Sequence, residues 1–255
     1  KLSLPIYILY SNFSCFSPIL LCSYFPICLL LLIIPFLRAV ATKDHIEAMG
    51  SDGARLVTAA LENDMNSVKG FLNKDIEVDS RDWDNMTALI ASSSKGYFPM
   101  VKHLVKNKAD VNLRDKDNIT AIMEAAMNGH KNVVEFLVNS KADIESPATS
   151  GVSPLWLAAG EGHTDVVRLL VSKKADVDNK RVDNITVLMA ASVRGHTDIV
   201  KQLLKAGANA EVRDKDGLTA LINAAENGSV PIVQALLEKK VEVNLLSNTN
   251  FSPLI

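Results

Sequence analysis

No cysteine occurs after Cys28, so the body of the chain has no disulfide and no cysteine-ligated zinc. An excess of basic charge is missing too. Of the 27 Lys and Arg, Lys1 and Arg38 lie in the first 41 residues, whereas all 29 Asp and Glu lie beyond them. The body is therefore net acidic and lacks the basic stripe that a nucleic-acid partner requires. No nucleophile elbow, phosphate-binding loop, dinucleotide fingerprint or zinc-protease motif is present. These absences leave no catalytic residue, metal ligand or cofactor to assign, and they point away from an enzyme.

Charge is nearly absent from residues 1–41, which also hold Cys15, Cys22 and Cys28. Residues 19–37 (ILLCSYFPICLLLLIIPFL) are almost wholly apolar and long enough to span a bilayer, though Pro26 and Pro35 would disturb a helix. Ala39-Val40-Ala41 resembles a signal-peptidase site. Three readings stay open. A cleaved secretory signal explains the small-residue pattern. A membrane anchor explains the length, and Arg38 and Lys43 would then favour a cytosolic body. A mistranslated leader is the third. The first two place the body in the secretory pathway or at a membrane, the third in the cytoplasm.

Past a polar linker at residues 42–52, the chain repeats itself. Thr87, Thr120, Ser153, Thr186, Thr219 and Ser252 follow one another at 33-residue steps, as do Gly96, Gly129, Gly162, Gly195 and Gly228. Ala109-Asp110, Ala142-Asp143, Ala175-Asp176 and Ala208-Asn209 keep the same step, with no insertion in the series. Such a period signals a stacked repeat. Within one unit, Asp183-Asn184 supplies turn chemistry, and Thr186 can cap a helix by offering its hydroxyl oxygen to free amides. Leu188, Ala190 and Ala191 give that helix a slim face, and Gly195 ends it. Ile199, Val200, Leu203 and Leu204 form the apolar face of a second helix, and Ala206-Gly207-Ala208 turns the chain back. Helices this short are marginal alone, so stability has to come from stacking neighbours.

The unit resembles the ankyrin repeat, most closely at residues 151–179, GVSPLWLAAGEGHTDVVRLLVSKKADVDN. The resemblance covers residues 53–255 and implies an all-α solenoid of about six helix–turn–helix units with short β-hairpin tips. Residues 53–80 lack the Thr and the Gly and resemble an N-terminal capping unit. Where the family has His in its T-P-L-H stretch, this chain has Ile90, Met123, Trp156, Met189 and Ile222, so apolar packing replaces that histidine's hydrogen bonds. Lys108, Lys141, Lys174 and Lys240 stand where the family has Gly, each costing up to ~1 kcal/mol if left-handed. The start at Lys1 and the unit left unfinished at residues 249–255 read as a fragment of a longer protein.

Histidines at 130, 163 and 196 share one column after the glycine and read as structural. His103 falls in a mixed, semi-exposed column, and His45 in the linker. Asp82, Asp115 and Asp214 read as turn formers. Trp156 is expected to pack in the core. Trp83, in a hairpin between units, is expected to be substantially exposed, serving either as an interface anchor or in simple packing on the neighbouring hairpin.

The resemblance implies that partners meet the hairpin tips and the exposed ends of the first helices, on a concave face. On this chain the tips offer Trp83 and Met86, Lys116 and Ile119, Thr149 and Val152, Val182 and Ile185, and Lys215 and Leu218. The helix ends offer Met127 and Asn128, Glu161, Arg194 and Glu226. This mixture of apolar residues and both charge signs suits a protein or peptide partner rather than a polyanion. Asn85, Asn118, Asn184, Asn227 and Asn250 each open an N-x-S/T triplet, a glycan acceptor in a secreted protein but otherwise a turn Asn in place of Gly. The expectation is a non-catalytic interaction scaffold or adaptor, or else the regulatory segment of a larger membrane protein or enzyme.

Overall fold

The computed structural model describes residues 51–249 and Ser252. The leader readings, His45 and Asn250 lie outside the described residues. Twelve helices occur among the described residues, in pairs. The first unit pairs α1 (Asp52–Leu61) with α2 (Met65–Leu72). The second pairs α3 (Ala88–Ser94) with α4 (Phe98–Lys106), and the third α5 (Ala121–Met127) with α6 (Lys131–Asn139). Then follow α7 (Pro154–Glu161) with α8 (Thr164–Ser172), α9 (Val187–Val193) with α10 (Thr197–Lys205), and α11 (Ala220–Glu226) with α12 (Val230–Leu237). Among the described residues no helix is long and apolar enough to cross a membrane.

Each unit starts as its residues dictate. Thr87, Ser153, Thr186 and Thr219 sit in extended backbone, and each side-chain oxygen accepts the amide of Ile90, Trp156, Met189 or Ile222 at 3.2–3.3 Å. Thr120 has the same backbone but makes no side-chain cap bond. The first helix of the second to sixth units ends on a left-handed glycine, such as Gly129 at φ 74°, and in the first unit Asn63 takes that place at φ 58°. Lys108, Lys141, Lys174 and Lys240 are left-handed too, at φ 67°, 68°, 67° and 59°. The first unit departs from the others. Its helix α1 runs 10 residues against seven for α3, capped by Ser51, which accepts the Ala54 amide at 3.2 Å. Ser51 and Asp52, read as linker in the sequence, belong to this helix start.

First helices pack in series, α1 on α3, α3 on α5 and on to α11. Their small residues, Ala91, Ala125, Ala158 and Ala191, are fully buried and let the helices approach closely. Second helices add apolar faces of their own. Met100, Val101 and Leu104 of α4 are wholly buried, as are Val134 and Leu137 of α6. Each such side chain contributes about 1.5–3 kcal/mol by leaving water, which offsets the cost of ordering helices this short. Ile90, Met123, Trp156, Met189 and Ile222 are all in this core, the tryptophan at 6% exposure. Trp156 Nε1 still donates to the Ile185 carbonyl at 3.1 Å, so its one polar atom is satisfied.

Candidate protein-binding face

The hairpins between units are built by their own side chains. Asp82 Oδ1 accepts the amides of Asp84 and Met86, each at 2.9 Å. Asp115 does the same for Asp117 and Ile119, and Asp214 for Asp216 and Leu218. The sequence reading of these carboxylates as turn formers therefore holds. Burial pushes the Asp214 carboxyl above its ordinary value, and the two amide bonds only partly oppose this. Antiparallel bridges Arg81–Thr87, Arg114–Thr120 and Lys180–Thr186 close the hairpins. Asn85, Asn118 and Asn184 are left-handed at φ 58°, 60° and 65°, in the column where Gly217 has φ 76°. Asparagine replaces glycine there as a turn residue.

Neighbouring tips are joined by backbone. The Lys116 amide donates to the Asp84 carbonyl at 3.0 Å, Thr149 to Asp117 at 3.1 Å, Val182 to Ser150 at 3.1 Å, Lys215 to Asp183 at 3.1 Å, and Asn248 to Asp216 at 2.9 Å. Arginines add a second link, because Arg81 donates to the Arg114 carbonyl and Arg114 to the Pro147 carbonyl, at 3.4 and 3.1 Å. The row of tips is thus a hydrogen-bonded edge rather than a set of independent loops.

That edge sorts the predicted contact residues. The first residue of each tip points outward. Trp83 is 53% exposed and Val182 78% exposed; Lys116, Thr149 and Lys215 are exposed as well. The second residue turns inward. Met86 is buried at 8% exposure and Val152 at 5%, so both expectations of exposure are corrected. Ile119, Ile185 and Leu218 are half-buried. At Met86, Ile119 and Leu218 the turn carboxylate ties that residue's own amide back, one position before the helix cap; the Val152 hairpin has Ala148 in the carboxylate column and is closed by the Ala148 amide donating to the Val152 carbonyl at 3.0 Å. At the helix ends, Asn128, Glu161, Arg194 and Glu226 are exposed and Met127 is half-buried.

Two exposed pairs shape the surface. Lys116 Nζ lies 5.0 Å above the centroid of the Trp83 ring and also pairs with Asp84. Arg194 and Glu161, one unit apart, form an ion pair at 2.9 Å. The Trp83 ring is therefore contacted by its neighbour's lysine while about half of the residue stays exposed, at 53%.

Several roles were not visible in the sequence. His130, His163 and His196 reach back one unit, their Nε2 donating to the carbonyls of Ser94, Met127 and Gly160 at 3.1, 2.8 and 3.1 Å. The polar residues after the second helices also bridge units. Asp79 accepts the Asp110 amide, Asn112 that of Asp143, Glu145 that of Asp176, Asp178 that of Asn209 and Glu211 that of Glu242. Burial, together with neighbouring acids, pushes the carboxyls of Asp79 and Glu145 above their ordinary range. Glu124, on a first helix, is 5% exposed. Among the described residues no cluster of His, Cys, Asp and Glu is arranged to hold a metal ion.

A stack of 33-residue helix pairs joined at the tips defines a repeat solenoid. A family model for ankyrin repeats, three copies to a match, covers residues 56–148, 89–181 and 155–247, and the chain belongs to the ankyrin repeat family. Members of this family are generally protein–protein interaction modules and typically non-catalytic. No curated protein matches the chain.

Proposed function

We propose that the chain is a non-catalytic scaffold or adaptor whose hairpin tips and first-helix ends bind a protein or peptide on a concave face. The observation that carries this reading is the outward placement of Trp83 and Val182 on a hydrogen-bonded edge, at 53% and 78% exposure. Large apolar side chains on rigid backbone lose little freedom when they are covered, which favours them as anchors. Lys116 and Lys215 on the tips, with Glu161, Arg194 and Glu226 at the helix ends, supply a polar rim of mixed sign. Such a surface favours a partner with an apolar centre and few net charges.

The test is a peptide-display selection on the full chain, followed by measuring the selected peptides against variants. Trp83→Ser and Val182→Asp are each expected to weaken binding by about 30-fold, the loss typical of a buried aromatic or apolar anchor. Both residues are exposed, so circular dichroism should be unchanged. Selected peptides that bind both variants as tightly as the wild type would reject the face.

A further inference from the structure

A different surface lies on the layer of second helices. A cleft of about 450 Å³ opens between α2, α4 and α6. Met65 and Phe136 contribute to an apolar floor. Phe136 meets Phe98 edge to face, with ring centroids 5.7 Å apart, which holds the ring in place. The rim is cationic. Lys69, Lys102 and Lys106 line it together with His103, and no carboxylate does. Among the described residues, none of these three lysines has a salt-bridge partner.

This concentration of positive charge is local. The body as a whole is net acidic, and the column of Lys69 and Lys102 continues with Glu135 in the third unit. Three ammonium groups around an apolar floor repel one another when the cleft is empty, and an anion relieves that repulsion. His103 registers the field: burial, then Lys69 and Lys106, push its imidazole below the usual range. The Asn107 amide nitrogen lies 3.4 Å from His103 Nε2 and can only donate, which leaves the ring proton on Nδ1.

We propose that this cleft is a second docking site, for an acidic amphipathic segment of a partner protein. One or two bulky apolar side chains would rest on Met65 and Phe136, with flanking carboxylates on Lys69, Lys102 and Lys106. The cleft is shallow and largely open to solvent, so it covers only one face of its occupant. Side chains projecting from a helical peptide suit that shape, whereas a free small molecule would stay largely in water. The site does not depend on the reading of the hairpin tips.

The probe is a fluorescein-labelled synthetic helical peptide with Leu and Phe on one face and Glu along both edges, titrated into the full chain by anisotropy. Saturable binding is expected. The double variant Lys102→Glu, Lys106→Glu should bind at least about tenfold more weakly, the scale of reversing contacts with paired charges. Both side chains are exposed, so the variant should keep the wild-type circular dichroism. It should also gain affinity for a companion peptide in which every Glu is Lys. Lys201→Glu, on α10, should leave binding unchanged. Absence of saturable binding, equal affinity for the Glu and Lys peptides, or an equal loss in Lys201→Glu would overturn the proposal. So would lysine-dependent sedimentation with phosphatidylserine vesicles in the absence of peptide binding, which would assign the cleft to a membrane surface.

Discussion

Replacing Lys108, Lys141 and Lys174 by glycine should stabilise the array. All three are left-handed, at φ 67°, 68° and 67°, and all three are exposed. An L-residue in that region carries a steric cost of about 1–2 kcal/mol. Glycine removes it but has more freedom to lose on folding, roughly 0.4–1 kcal/mol. The net gain is about 0.5–1 kcal/mol at each site, and no packing is sacrificed because the lysine side chains lie in water. The sites share no partner, so their effects should add, giving roughly 1.5–3 kcal/mol for the triple variant. In an array of this size that corresponds to a rise in Tm of about 3–12 °C. Scanning calorimetry reads the shift directly. Gly207 occupies the same column at φ 97°, so Gly207→Lys provides the converse and should lower Tm. An unchanged or lower Tm for the triple variant, together with a neutral Gly207→Lys, would refute the strain argument.

Other consequences follow from the same geometry. Gly129→Ala should cost distinctly more than Gly195→Ala, because a Cβ on Gly129 would come within 2.5 Å of the His163 ring whereas one on Gly195 meets nothing within 4 Å; urea unfolding of the two variants would show it. Gly195→Ala should lose only the left-handed penalty of about 1 kcal/mol. Gly70 lies inside α2 with open space beside it, so Gly70→Ala should raise stability by roughly 0.5–1 kcal/mol. Glu145 has a raised pKa, so the folded state holds its proton more tightly than the unfolded chain and loses stability as pH rises through that window above 4.5. Glu145→Gln keeps an acceptor for the Asp176 amide, so it should flatten this slope in a Tm-against-pH series, with a gain of at most about 0.5 kcal/mol at such an exposed position. His103 has a lowered pKa, so its contribution is complete above the ordinary value of 6.5 and is lost as pH falls toward the depressed value. Lys106→Gln should move the His103 NMR titration upward.

What repeats inside one unit was legible in the sequence, because it is local. The Thr caps, the terminating glycines, the turn carboxylates and the buried Trp156 depend on residues only a few positions apart. The left-handed lysines could be read from their column alone. What ties one unit to the next was not legible. The histidine bonds to the preceding unit, the Arg81 and Arg114 links and the Asp79-to-Glu211 series span about one repeat, and no local pattern announces which atoms meet. The tips fell between the two cases. Trp83 and Val182 were correctly placed outside, but Met86 and Val152 were not, because the inward turn of the second tip residue is set by the hairpin's geometry rather than by residue type. The long first helix was missed because Ser51 caps it ahead of the position that the repeat leads one to expect.

The most direct test of the account is site-specific photocrosslinking of the full chain. Benzoylphenylalanine would be placed either at Val182, on the exposed tips, or at Arg168, on the layer of second helices, in the presence of a peptide selected on the wild-type chain for sensitivity to Trp83→Ser. Binding at the tips should give an adduct from position 182 that unlabelled peptide competes away, and none from position 168. An adduct from position 168 alone would contradict it.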